Sequence, residues 1–205
     1  MNYGTLPSRL LNAIDSLPNP RAQMFRGADG WKAISSEELL RRVAGLSTAL
    51  VELGVKPGDR VGLFAANRPE WHTADFAITG SGGVTVPIYF NESTERITYI
   101  LKHCGAKFVF AAGAAQMRKL QDLRAQLPEL EQVILADCAP DLPPDCLQYE
   151  TLIATAGGAD VAAYRMRASQ VLPGQLASIT PSSSPLRSRR ASTARAPSGT
   201  PITGP

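Results

Sequence analysis

Two histidines (His72, His103), three cysteines (Cys104, Cys138, Cys146) and three carboxylates near strand–helix junctions (Asp59, Glu70, Asp75) are the side chains whose types could do chemistry. Their spacing argues against most of it. Zinc sites and disulfide frameworks need paired or regularly spaced cysteines, and three cysteines without a CxxC spacing supply neither. His103 adjoins Cys104, but Cys–His catalysis needs the two side chains to meet in space, which adjacency along a helix does not provide. His72 follows Trp71 early in a helix, His103 sits at a helix end where a partly protonated imidazole suits the dipole, and Glu70 is a first-turn dipole partner. Nothing specifies an acid/base pair among Asp59, Glu70 and Asp75.

Two glycine-bearing stretches could hold phosphate. A phosphate cradle follows a strand and opens a helix, so that helix N–H groups meet the anion. In "TGSGG" (Thr79–Gly83) the order is reversed, helix then glycines then strand, which reads as a helix stop with close backbone packing. "SGT" (Ser198–Thr200) has no lysine and no following helix. The sequence therefore assigns no catalytic, cofactor-binding or metal-binding residue.

The 205 residues are 44% hydrophobic and 19% charged, as in a globular domain. The net charge is +3, and Arg187, Arg189, Arg190 and Arg195 supply more than all of it in a segment with no acid. A nucleic-acid surface would rest on that tail alone, and four arginines without interleaved aromatics support only weak, salt-sensitive contact. The amino terminus lacks the pattern of a secretory signal, and no apolar run is long enough to span a bilayer. The cysteine usage suits a reducing, cytoplasmic setting.

The elements that must position these groups follow from periodicity. Residues 1–30 read as irregular, with a short helix around Leu10–Leu17. Leu39, Val43, Leu46, Leu50 and Leu53 form one helical face, opened by Ser35 and Glu38 at capping-box spacing and stopped at Gly54. Arg60–Ala66 reads as a buried strand. Asn67 caps the next helix, with Pro69 in its first turn. Val84–Tyr89 is a strand whose Pro87 marks an edge or an end. A helix through Ile97, Ile100, Leu101 and Cys104 stops at Gly105. "KFVFAA", "AAQMRKLQDLRAQLP" and "EQVILAD" are strand, helix and strand; "APDLPPD" is a loop, "YETLIATAGG" a short helix and "LASI" a final buried strand. Strands alternating with helices predict an α/β fold, a mostly parallel sheet flanked by helices. Residues 180–205 hold two large apolar side chains, Leu186 and Ile202, too few to offset the entropy of ordering 26 residues, so a disordered tail is expected.

The stretch from "WKAISSEELLRRVAGLSTALVELGVKPGDRVGLFAANRPEWHTADFAITGSGGVTVPIYFNESTERITYILKHCGAKFVF" resembles the amino-terminal region of AMP-forming acyl-CoA synthetases, most closely the long-chain fatty acid–CoA ligases of the adenylate-forming superfamily. A Trp before a helix containing "EL", then "GV…GDRV", "N…EW", "G…VPIY" and "I.YIL" occur in order, and the likeness covers Trp31 to Ile179. It implies a partial AMP-binding domain over 31–179, after the segment 1–30 and before the tail 180–205. It implies carboxylate activation with ATP and Mg²⁺, then acyl transfer to CoA. The partners of the intact family are then fatty acid, ATP and CoA, with peripheral membrane association within its range.

The same resemblance implies that a strand like "LASI" leads into a Ser/Thr/Gly-rich phosphate loop ending in Pro-Lys-Gly. Here "TPSSSPLRSRR" follows Ile179, and the later motifs do not appear, so no family catalytic residue transfers to a numbered position. Three readings follow. The first is a truncated ligase, inactive alone and without cofactors of its own, its tail non-native sequence from a frameshift or a misassembled gene, with the neighbouring reading frames as the test of a frameshift. The second is a non-catalytic α/β binding or interaction module. The third is a basic tail contacting an acidic partner. Acyl-chain length and oligomeric state stay open.

Overall fold

The structure is a computed structural model that describes residues 4–139 and 142–180. Its elements in chain order are α1 (Leu6–Ser16), β1 (Gln23–Gly27), β2 (Gly30–Ile34), α2 (Ser36–Glu52), β3 (Arg60–Phe64), α3 (Pro69–Gly80), β4 (Val84–Ile88), α4 (Thr94–Cys104), β5 (Phe108–Ala111), α5 (Ala114–Asp122), β6 (Gln132–Leu135), β7 (Cys146–Gln148), α6 (Tyr149–Ile153) and α7 (Gly158–Gln170). A 3-10 turn, Arg124–Gln126, follows α5.

Five strands form a parallel sheet in the order β4-β3-β5-β6-β7. The period of two along each strand divides the core into two layers. Val61, Leu63, Phe108, Phe110 and Ile134 face a cluster built with α1, α2, α3, α6 and α7. Phe64, Val86, Ile88, Val109, Val133 and Leu135 face a second cluster with α4 and α5. The α/β sheet flanked by helices is thus as the sequence predicts. α3 is covered by the sheet on one side and by α1, α2 and α7 on others, so Thr73, Ala74, Ala77, Ile78, Thr79 and Gly80 are all buried.

Ser35 caps α2, its hydroxyl accepting from the Glu38 N–H at 3.1 Å. The other half of the predicted capping box does not form, because the Glu38 carboxylate pairs with Arg41 and Arg42 instead. Gly54 (φ 97°) and Gly105 (φ 59°) adopt left-handed conformations after α2 and α4, as helix stops require.

Four local expectations are corrected. α1 starts four residues earlier than Leu10, because Thr5 and Ser8 cap it reciprocally. The supposedly irregular stretch before Trp31 holds β1 of an antiparallel hairpin, which turns at Ala28 and Asp29 and returns through Gly30 at φ 118°. Arg68, not Asn67, is the N-cap of α3, and it makes no side-chain cap bond. α7 was not anticipated: only Tyr164 and Ala168 of it are fully buried, too sparse a pattern to read as a helical face.

"LASI" is not a buried strand. Leu176 is exposed, and the segment makes a single parallel bridge, Ser178 beside Thr85. The Thr85 N–H donates to Ala177 O at 2.9 Å and the Ile179 N–H to Thr85 O at 3.0 Å. The next outward-facing donor on β4 falls at residue 87, a proline without an N–H, so the ladder stops after one rung. The Ser/Pro/Arg-rich tail, including Ser198–Thr200, lies outside the described residues from Pro181 onward.

Candidate functional site

In an open α/β sheet the ligand-accessible crevice lies at the carboxyl ends of the strands, where the strand order reverses. Here the chain leaves β3 for β4 on one side and returns to β5 on the other, so that point falls between β3 and β5. Arg68 occupies it. Its Nε donates to Glu70 Oε2 at 2.7 Å, and its Nη1 lies 2.7 Å from Asp137 Oδ1 and donates to Ala112 O at 3.3 Å. One guanidinium therefore ties together the loops after β3, β5 and β6. Burial pulls its proton affinity down, but Glu70 and Asp137 outweigh that and hold the guanidinium above its ordinary value. A Cβ at Gly113 would collide with the Asp137 carboxylate, so a larger residue there would push that carboxylate away from Arg68.

Beside the clamp lies a crevice of about 880 Å³. One wall is the strand segment Ala22–Arg26. The other is the loop Asn67–Glu70 with His72, and Leu39 and Phe76 are apolar contributors. The amino end of α3 has no side-chain cap; Pro69 there carries no N–H, and the Trp71 N–H donates to Arg68 O at 3.0 Å.

The residues singled out by chemistry are scattered. His72 is exposed on the crevice wall and packs edge-on against Trp71. His103 stacks on Tyr99 with centroids 5.3 Å apart, on the outer face of α4. Cys104 is buried, its thiol donating to Ile100 O at 2.7 Å, and burial raises its pKa, which suppresses the thiolate. Cys146 is likewise pushed up to about 11 by burial. Asp59 accepts the Lys56 N–H in the turn before β3. Asp75 accepts from the Thr85 hydroxyl at 2.7 Å, and burial raises its pKa. Only Glu70 and His72 share the crevice.

Thr79–Gly83 closes α3 and leads into β4, with Gly82 at φ 80° against Pro57, which is the packing role its order implies. Among the described residues no three His, Cys, Asp or Glu side chains gather as a metal site. Sequence reasoning missed Arg68. Its partner Asp137 is remote in the chain, and a lone arginine before a proline carries no signal of its own.

The carboxyl edge, a parallel sheet in this strand order and a final segment running alongside β4 are the features to compare with known proteins. The model of the family described as "AMP-binding enzyme" matches residues 13–184. The chain belongs to the AMP-binding enzyme family. Within it, the chain is 35% identical over 104 residues to a long-chain-fatty-acid–CoA ligase of Mycobacterium bovis, covering 51% of this chain and 17% of the relative. It is 32% identical over 178 residues to the 3-[(3aS,4S,7aS)-7a-methyl-1,5-dioxo-octahydro-1H-inden-4-yl]propanoyl:CoA ligase of Mycobacterium tuberculosis, covering 85% of this chain and 33% of that one. An acetoacetyl-CoA synthetase structure from Streptomyces lividans superposes with a TM-score of 0.67 at 25% identity, over 74% of this chain and 25% of the other. The matches to these AMP-binding enzymes span about a third or less of their length. Among the described residues no helix is long and apolar enough to cross a membrane.

Proposed function

We propose that residues 13–180 are the leading part of the large domain of an ATP-dependent acid–CoA ligase acting on a fatty acid. The observation that carries this reading is the family match over 13–184, joined to the course of residues 177–179. Those residues run parallel to β4 toward the carboxyl edge. That is the direction a chain must take to deliver a phosphate loop to the ligand-binding edge of such a sheet. The names of the ligase relatives support a fatty acid as substrate class.

In this reading the chain supplies scaffold, and residues 1–205 alone do not adenylate. The residues present do not fit ATP. The glycine run Thr79–Gly83 follows a helix instead of opening one, and the stretch after Ile179 has no Pro-Lys-Gly. Arg68, the cation at the switch point, already has two carboxylates. The fold can still stand as a scaffold, because both sheet faces carry their own helical cover.

A chimera tests the proposal. Residues 13–180 replace the aligned segment of the Mycobacterium tuberculosis ligase, and ATP–pyrophosphate exchange is measured with that enzyme's own acid. Retained exchange is expected. A folded chimera without exchange refutes the scaffold role, and exchange by residues 1–205 alone with fatty acids refutes their inactivity.

A further inference from the structure

Two arginines clamp the parallel sheet, one at each end. At the amino end Arg124, in the 3-10 turn after α5, lies with its Nε 2.9 Å from Asp145 Oδ2, just ahead of β7. Its Nη1 and Nη2 donate to Leu130 O and Glu131 O, just ahead of β6. At the carboxyl end Arg68 joins the loops after β3, β5 and β6. The two side chains are similarly exposed, 27% for Arg68 and 37% for Arg124. They differ in the end of the sheet that each one closes.

At the carboxyl end the ladder bonds continue past the strands. The Ala112 N–H donates to Phe64 O at 3.1 Å, and the Asp137 N–H donates to Ala112 O at 2.9 Å. The same Ala112 O accepts a second bond, from Arg68, and Arg68 also meets the Asp137 carboxylate. The bonds thus run from the end of β3 to the β5 loop, on to the β6 loop, and back to the β3 loop through Arg68. Arg68 is the link that closes this ring. Its charge is met by two carboxylates of the chain itself, so any effect it has on a ligand passes through the loops that it fixes.

We propose that Arg68 is a positioning residue for the acid–CoA ligase reaction, holding the loops after β3, β5 and β6 in the arrangement that aligns the reacting groups at the switch point. This inference rests on the ligase reading above. Ligands of open α/β sheets lie against these loops, and a displacement of about 1 Å among aligning groups costs about a hundredfold in rate. In the ligase reading the residues that hold ATP lie outside residues 1–205. Loss of Arg68 therefore falls on turnover and spares the affinity for ATP. Arg124 fixes the opposite edge, so its loss costs stability without costing turnover.

The test uses the chimera carrying residues 13–180 together with the full chain. In the folded chimera, Arg68→Met is expected to lower kcat of ATP–pyrophosphate exchange by about tenfold or more, with KM for ATP changed less than about twofold. Arg124→Met is the matched control, and its kcat stays within about twofold of the parent chimera. Arg68→Lys keeps a point charge without the planar fork and falls between the two. On the full chain, the Ala112 and Asp137 amides lose hydrogen-exchange protection in Arg68→Met and keep it in Arg124→Met. Asp137→Ala removes one arm of the clamp at a half-exposed side chain and lowers kcat in the same direction, which keeps the inference testable if Arg68→Met does not fold. Unchanged kcat in a folded Arg68→Met or Asp137→Ala chimera overturns the inference. So does an equal loss in Arg124→Met, a loss confined to KM, or protection unchanged by Arg68→Met. A parent chimera without exchange is a separate failure, which refutes the ligase reading itself and the inference with it.

Discussion

Gly80→Ala separates local helix preference from tertiary packing, because the two give opposite signs. Gly80 is the last residue of α3, and alanine in place of glycine in a helix is worth up to about 1 kcal/mol of added stability. In the folded protein a Cβ at position 80 would land on the Tyr164 ring, 2.7 Å from Cζ and 2.8 Å from Oη, with Cε2 closer still. Tyr164 has no room to retreat. It is fully buried, and its hydroxyl donates to Phe76 O at 3.1 Å. Its helix is pinned by Arg165 to Asp15 on α1 and by Arg167 to Ser47 and Thr48 on α2. Overpacking of this kind costs about 1–3 kcal/mol, and losing the hydroxyl bond about 1 kcal/mol more. The net expectation is a loss of about 1–3 kcal/mol, or roughly 3–10 °C in Tm, read by calorimetry and by urea unfolding. Tyr164→Ala supplies the control. It costs about 3–5 kcal/mol alone, and in its background Gly80→Ala becomes neutral or stabilising. An unchanged or raised Tm for Gly80→Ala in the wild-type background would refute the packing of α7 described above.

Three further outcomes are expected. Arg68→Met leaves Glu70, whose side chain is 16% exposed, without its partner, so stability falls by about 1–3 kcal/mol and the loops after β3, β5 and β6 lose protection in hydrogen exchange. Glu38 is held at about 2 by its bond to Arg41, against desolvation, with Arg42 adding to it. Because its folded pKa lies below the ordinary glutamate value of 4.5, its contribution is whole above that value and is lost as pH falls toward 2. Exposure of a third of the side chain limits that contribution to about 1 kcal/mol, visible as a flatter acid-unfolding curve for Glu38→Gln. Pro87→Ala restores the missing edge donor, and the new residue-87 amide becomes protected from exchange as the ladder to residues 177–179 gains a rung. An unprotected amide there removes proline as the reason the ladder stops.

Much of the fold was legible because the relevant signals are local. The apolar face from Leu39 to Leu50, the Ser35 cap and the glycine stops all act within one or two helical turns. The β-branched and aromatic runs at Val84–Ile88 and Phe108–Ala111 are buried enough to identify themselves as strands. The hairpin and α7 were not legible. β1 half-buries one face and exposes the other, and α7 owes its position to single contacts with distant residues. The candidate site was harder to read than either. Glu70 and His72 could be suspected by type, but the clamp joining Arg68 to Asp137 spans the sheet and leaves no periodic trace.

By itself the sequence determined the alternation of strands and helices and the likeness to acyl-CoA ligases, since each is written in contiguous residues. Only the tertiary structure decided that β3 and β5 flank the switch point, and that Arg68 closes it. It alone showed that among the described residues β1 pairs with β2 alone, and that "LASI" reaches the sheet by a single rung. Strand order and edge pairing come from which distant surfaces bury each other best, and that selection is made by the whole folded chain.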